Sequence, residues 1–211
     1  MNSTGKFITL EGGDGTGKTT QIRLLVEYLN SVGIKTIATR EPGGTELGEK
    51  VRQLLRSTAD PVSDPLVEVL LFFAARRQLV KQIIFPALQS GIWVVSDRFY
   101  DSSLIYQGVM KSCSIEHIMN IKHIVMENFE PDLTIVLDLS VKDMLYRINQ
   151  RQGGRDLWDN MPPDYHKKVR DGFKKLAKTF SFRTTIVKAS GPVDLVQKRL
   201  RDMVREKLIL K

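Results

Sequence analysis

The run Gly12-Gly13-Asp14-Gly15-Thr16-Gly17-Lys18-Thr19 follows the pattern G-x-x-x-x-G-K-[ST], and each part of it suits a chain of phosphates. The glycines let the backbone wrap an anion closely, with amide groups turned inward. A helix beginning at Lys18 adds partial positive charge at its N-terminus. Lys18 is placed to reach the outer phosphates, and the Thr19 hydroxyl to ligate Mg²⁺. Context separates this from a glycine-rich turn. Phe7-Ile8-Thr9-Leu10 reads as a short buried strand, and Thr20 to Tyr28, with Ile22, Leu24 and Leu25 apolar, reads as an amphipathic helix. A nucleoside triphosphate is the expected ligand.

Other residues carry charge where a buried strand should end. Asp97-Arg98 closes the apolar run Ile92–Ser96, and Arg40 closes Ile34–Thr39. A strand-end ion pair accounts for Asp97 and Arg98, and so does a phosphate site, because a guanidinium offers forked donors to phosphate oxygens. Asp14 also has two readings. It repels phosphates from inside their own loop, which implies a function, yet Asp before Gly also stabilises turns. Phe72 and Arg76 stand four apart on a helix and share a face, as do Arg147 and Arg151.

The elements that position these residues alternate strand and helix. Strands are expected at Lys6–Leu10, Ile34–Thr39, Ile92–Ser96, Leu133–Leu137 and Thr184–Lys188. Helices are expected at Lys18–Val32, Thr45–Leu55, a long stretch from Pro65 to Gln89 with a kink at Pro86, Asp101–Gln107, Ser114–Asn128, Val141–Arg151, one opening at Pro162/Pro163, and Val193–Leu208. About five apolar strands alternating with helices predict an α/β fold, a parallel five-stranded sheet with helices on both faces. Ligands in such sheets bind beyond the carboxyl ends of the strands. Gly12–Thr19, Arg40–Gly44 and Asp97–Arg98 should therefore face one cleft. No linker divides the chain, so residues 1–211 are expected to form one domain. Gln152–Asn160 lacks apolar periodicity and reads as an insert.

The 211 residues suffice for a core without disulfides. The single cysteine, Cys113, excludes an intrachain disulfide and fits a reducing cytosol. The first residues lack an apolar signal core, and no apolar stretch reaches membrane-spanning length, so a cytoplasmic protein without membrane contact is expected. The net charge of +8 is uneven: residues 1–139 carry a net −2 and residues 140–211 a net +10. Such an excess suits polyphosphate, nucleic acid or solvated helix faces. The absence of a basic tract interleaved with aromatics counts against nucleic acid.

Two triphosphate-using classes fit poorly. No Asn is followed by Lys, so the N-K-x-D signature of guanine recognition is missing, and no apolar strand ends in Asp-Glu to activate water. A kinase needs no such base. It needs an acceptor pocket, cations for the transferred group and exclusion of water.

Leu10 to Gln21 resembles the phosphate loop of the thymidylate kinase family. Arg40-Glu41-Pro42-Gly43-Gly44-Thr45, Phe72-Phe73-Ala74-Ala75-Arg76, Asp97-Arg98-Phe99 and Tyr106-Gln107-Gly108 resemble the same family, in order and over nearly the whole chain. The resemblance implies a P-loop NTPase fold of the nucleoside monophosphate kinase kind, ATP-dependent phosphorylation of dTMP to dTDP with Mg²⁺, and a homodimer. It places ATP along Gly12, Gly13, Asp14, Gly15, Thr16, Gly17, Lys18, Thr19 and Thr20. It places dTMP against Asp14 (through the 3′-hydroxyl), Arg40, Pro42, Phe72, Arg76, Arg98, Ser103, Tyr106 and Gln107. Asp97 would order the metal through water beside Thr19. Residues 147–160 resemble the family's lid. The family draws its catalytic cation from the phosphate loop or from the lid, and Gly13, Asp14, Gly15 and Thr16 supply none. That points to the bacterial-like type, with Arg151 catalytic beside Lys18, Arg98 and Asp14, and Arg147 against the adenine. Where the family often continues Asp-Arg-x-Glu, this chain has Arg155-Asp156-Leu157-Trp158-Asp159. A kinase of another nucleotide or nucleoside, and an ATP- or nucleic-acid-binding regulatory module, are the competing readings.

Overall fold

The structure, a computed structural model, describes residues 4–57, 62–150 and 161–209. Its strands are β1 (Phe7–Glu11), β2 (Thr36–Arg40), β3 (Trp93–Asp97), β4 (Leu133–Asp138) and β5 (Thr184–Lys188). All pair in parallel, in the order β2-β3-β1-β4-β5. This is the expected α/β architecture. The central strand β1 is buried from end to end, as a strand covered on both faces must be.

Side-chain alternation sends successive residues into opposite layers. Phe7, Val94 and Val136 join Phe73, Phe99 and Phe173 on one face. Ile8, Leu10, Val95, Ile135 and Leu137 join Leu25, Leu29 and Leu200 on the other. The second face is covered by α1 (Lys18–Ser31) and α9 (Val193–Val204), and the first by α3 (Pro65–Leu79), α6 (Ile115–Met126) and α8 (Pro163–Thr179). Thr9 and Thr134 satisfy each other inside the sheet at 2.8 Å.

Local chemistry sets the helix ends. Thr45 caps α2 (Glu46–Arg56) by accepting from the Gly48 amide. Asp64 caps α3, which has Pro65 in its first turn. Ser140 caps α7 (Val141–Asn149). The stretch from Pro65 to Gln89 is helical throughout but changes winding. After α3 comes a π-helical turn, Val80–Ile84, and then α4 (Phe85–Gln89). The Phe85 amide bonds the Val80 carbonyl, five residues back. The wider turn lies immediately before Pro86, where a normal turn would meet the proline ring. A second π-helical segment, Leu104–Val109, follows the short helix α5 (Tyr100–Ser103) and carries Tyr106 and Gln107.

The carboxyl ends of β1, β2 and β3 lie side by side. Leu10 and Arg40 both pair with Asp97. Beyond the strands the Glu41 amide bonds the Asp97 carbonyl, and the Arg98 amide bonds the Leu10 carbonyl, each at 3.0 Å. The three loops predicted to share a cleft do so.

Candidate active site

The phosphate loop is held in a shape that only glycine permits at two points. Gly12 has φ +131°, and a β-carbon there would lie 2.7 Å from the Leu137 carbonyl oxygen. Gly15 has φ +78°, and its β-carbon would lie 2.6 Å from the Met144 carbonyl oxygen. The Thr16 hydroxyl closes the turn by donating to the Gly13 carbonyl at 2.8 Å. Lys18 curls over the loop, donating from Nζ to the Gly12 and Gly13 carbonyls at 3.0 Å each. Burial lowers this ammonium to about 8, and Arg98 pushes the same way against the pull of Asp97 and Asp14.

Thr19 donates its hydroxyl to Asp97 Oδ2 at 3.0 Å. The other oxygen, Asp97 Oδ1, is buried without a hydrogen-bond partner among the described residues. An ionised carboxylate oxygen only accepts, so this orphan fits a hydrated divalent cation. Among the described residues no group of three or more His, Cys, Asp or Glu could grip a metal. The pairing of one hydroxyl with one carboxylate suits Mg²⁺, which keeps several waters and shares phosphate oxygens.

Arg147 on α7 donates to the Thr16 carbonyl at 3.5 Å and to the Ala189 carbonyl at 3.2 Å. It thereby ties the phosphate loop to the segment after β5, the side on which Ser190-Gly191-Pro192 lies. Thr20 is exposed on the first turn of α1. Arg151, Arg155 and the rest of 151–160 lie outside the described residues.

Beside the loop opens a cleft of about 870 Å³ that includes open solvent. Asp14, Pro42, Phe72, Arg76, Arg98, Ser103, Tyr106 and Gln107 all line it. Arg40 does not. Its side chain is 55% exposed and pairs with Glu49 on α2 at 2.8 Å. The adjacent Glu41 takes the inward place, since neighbours at a strand end point to opposite sides. Glu41 accepts from Arg76 Nε at 2.6 Å in a fully buried ion pair. Burial raises its carboxyl to about 7, against the opposing pull of Arg76. The Arg76 guanidinium also lies 4.5 Å from the centre of the Phe73 ring. Its Nη1 has no hydrogen-bond partner among the described residues.

Arg98 occupies the junction of loop and cleft. It has φ +73°, a strained conformation for a side-chain-bearing residue. Surrounding bonds hold it there. Its carbonyl accepts from Ser96 at 2.8 Å, Nη1 donates to the Gly12 carbonyl and Ser102 Oγ at 3.1 Å, and Nη2 meets Asp14 at 2.8 Å. The guanidinium stands 5.0 Å from the Tyr106 ring centre. Burial pushes the Tyr106 hydroxyl far above the usual range, with Arg98 opposing.

Three contributors escaped the sequence reading. Glu11, at the end of β1, accepts from the Phe99 amide at 2.7 Å and from Ser102 at 2.6 Å, so it fixes the segment that carries Arg98. Burial raises Glu11 to about 7, with Asp101 acting the same way and Arg98 against it. Arg52 donates to the Pro42 carbonyl at 3.2 Å and lines the cleft. Tyr165, on α8, forms part of its wall. Only Glu11 left a signal, an acidic residue closing an otherwise apolar strand.

The cleft lined by Arg76 and Arg98 thus abuts the phosphate loop. The chain is similar to known proteins over nearly its whole length. The model of the family described as thymidylate kinase matches residues 10–200. A thymidylate kinase of Caldicellulosiruptor saccharolyticus is 41% identical over 204 residues, 97% of this chain and 98% of that one. One from Marinomonas sp. is 42% identical over 200 residues, covering 95% and 94%. The crystal structure of thymidylate kinase from Ehrlichia chaffeensis matches with a TM-score of 0.77 at 32% identity, over 95% of this chain and 99% of that one. Likeness at this level runs through the loop, the cleft and the helices that carry them, and the chain belongs to the thymidylate kinase family.

Proposed function

We propose that this chain transfers the γ-phosphoryl group of ATP to dTMP, giving dTDP and ADP and so feeding dTTP synthesis. The observation that carries the reading is the Arg98–Asp14 contact of 2.8 Å, which joins the acceptor cleft to the phosphate loop. An acceptor phosphate held by Arg98 lies next to the donor site, and proximity of this kind turns a bimolecular transfer into a local one.

The family resemblance, together with the residues that line the cleft, supports the following roles. The loop amides and Lys18 hold the β- and γ-phosphates. Asp14 accepts from the 3′-hydroxyl of dTMP and orients its sugar. Phe72 stacks on the base, Arg76 donates to a base carbonyl, and Ser103 and Gln107 complete the polar edge. Tyr106 packs under the sugar where a 2′-hydroxyl would sit, and Pro42 shapes the wall. Thr19 and the water-mediated Asp97 would hold Mg²⁺, which supplies neutralising charge at the phosphates when bound. Arg147 lies on the adenine side. Arg151 is assigned the charge that develops on the transferred group.

Residues 1–211 act as one kinase domain whose lid spans about 147–160. A homodimer is supported by apolar residues of α3 left exposed, Leu66, Val67 and Leu70. Among the described residues no helix is long and apolar enough to cross a membrane, and a cytoplasmic location accords with the single free cysteine. An acceptor panel with ATP and Mg²⁺ tests the function. ADP release with dTMP well above that with dCMP, AMP or thymidine supports it. Preference for another acceptor establishes a different kinase, and salt-sensitive oligonucleotide binding without turnover establishes a binding module.

A further inference from the structure

Glu68 lies on the first turn of α3, four residues before Phe72 and eight before Arg76, so all three share one stripe of the helix. It is 6% exposed and stands behind the cleft wall. Two residues of that wall reach back to it. Gln107 Nε2 donates to Glu68 Oε2 at 3.0 Å, and Lys111 Nζ donates to Oε1. A carboxylate paired with an ammonium accepts hydrogen bonds and does not donate them. It therefore fixes which end of the Gln107 amide faces inward. The NH₂ group points at Glu68, and the carbonyl oxygen is left for the cleft.

The cleft then presents a defined pair of groups. Arg76 Nη1 is a buried donor without a partner among the described residues, and Gln107 Oε1 is an acceptor. Thymine and uracil carry an acceptor, the C4 carbonyl, beside a donor, the N3–H. Cytosine carries the reverse, an amine beside an unprotonated N3. We propose that Glu68 is a positioning residue for base specificity: by holding the Gln107 amide in one orientation it admits thymine and uracil and turns cytosine away. The inference rests on the assignment of dTMP to this cleft. It adds that the choice of base is set by a carboxylate that does not touch the nucleotide.

The test is steady-state turnover of Glu68→Gln with dTMP, dUMP and dCMP, using ATP and Mg²⁺. A glutamine at 68 can donate or accept, so the Gln107 amide is free to turn over. The ratio of kcat/KM for dTMP over dCMP is expected to fall by about tenfold, the scale of one mispaired buried hydrogen bond. The dTMP over dUMP ratio should stay unchanged, because those bases share the edge being read. In a Gln107→Leu background the same substitution should leave the dTMP over dCMP ratio unaltered, since Glu68 acts through Gln107. A merely structural role lowers all three acceptors together and overturns the proposal, as does an unchanged dTMP over dCMP ratio in Glu68→Gln. If that variant does not fold, Glu68→Met replaces it. Its side chain offers the Gln107 amide no carboxylate acceptor, and the same fall or its absence decides. Failure of the wild-type protein to prefer dTMP overturns the functional reading itself, a result separate from any of these.

Discussion

Arg98 and Asp14 meet at 2.8 Å across the seam between the phosphate loop and the cleft, with side chains 17% and 27% exposed. The pairing resolves the oddity of an acidic residue inside an anion-binding loop. Asp14 repels phosphate, but the guanidinium beside it compensates that charge and still turns an edge to the cleft. Arg98 in turn keeps a strained backbone because Leu10, Ser96 and Gly12 bond it on one side and Asp14 on the other. The two sites share charges and are not independent.

Arg98→Ala should therefore act chiefly on the acceptor. Losing a forked donor to a phosphate costs several kcal/mol, so kcat/KM for dTMP should fall by about 10²–10³-fold. KM for ATP should move far less. Initial rates with each substrate varied in turn check this, and an equal loss on both sides would place Arg98 on the donor.

Lys18 gives a pH signature. Its ammonium falls from the ordinary 10.5 to about 8 through burial and the nearby Arg98. Between those values the unfolded chain holds a proton that the folded chain has released, so stability rises with pH across that window. Below about 8 both states are protonated and Lys18 adds no slope. Urea midpoints measured from pH 7.5 to 10.5 should rise more steeply in the nucleotide-free protein than in Lys18→Met. The variant should also lose nearly all turnover.

The phosphate loop was legible because its chemistry is local: strand, glycines, lysine and helix are consecutive. The pairing of Phe72 with Arg76 was legible from helical spacing. What escaped depends on contacts distant in sequence. Glu11 meets Ser102 91 residues away, and Glu68 meets Lys111 43 residues away. No periodicity encodes such partners. Arg40 was expected at the acceptor by resemblance to the family, but a strand end presents two consecutive residues to two sides. The register placed Glu41 inward and left Arg40 with Glu49. The π-helical turn that carries Tyr106 and Gln107 also leaves no mark in an apolar pattern.

Glu41 and Arg76 separate stability from function. Their side chains are 4% and 1% exposed, and they touch at 2.6 Å. Removing one partner strands a buried charge, so Glu41→Ala should cost about 3–5 kcal/mol in urea unfolding. Replacing both with Met should recover much of that loss, because paired desolvation disappears with the pair. The double variant should still fail with dTMP, having no donor for the base. Unfolding curves and turnover of the single and double variants check the split.

Asp97→Asn should raise the Mg²⁺ concentration needed for half-maximal rate. An amide keeps the shape and the contact with Thr19 but removes the negative charge. A Mg²⁺ titration shifted by about tenfold or more at saturating ATP would place Asp97 at the metal. An unshifted curve would leave its buried Oδ1 without that role.

The remaining cation is the one assigned to Arg151. The loop residues Gly13, Asp14, Gly15 and Thr16 carry no positive charge, and Lys18 is bonded to the Gly12 and Gly13 carbonyls. Arg98 is bound to Asp14 on the acceptor side. Arg147, on α7, spends both of its outer nitrogens on the Thr16 and Ala189 carbonyls. That leaves it beside the phosphate loop, four residues before Arg151 in the sequence. Charge that grows on the transferred oxygens still needs a cationic partner, the role proposed for Arg151. Arg151→Ala should lower kcat by about 10²–10³-fold with little change in KM for dTMP, the pattern of an interaction made only in the transition state. Arg147→Ala should instead raise KM for ATP. Single-turnover measurements of phosphoryl transfer with both variants decide between them: an undiminished rate in Arg151→Ala would move the cation to Arg155, the next arginine in the sequence.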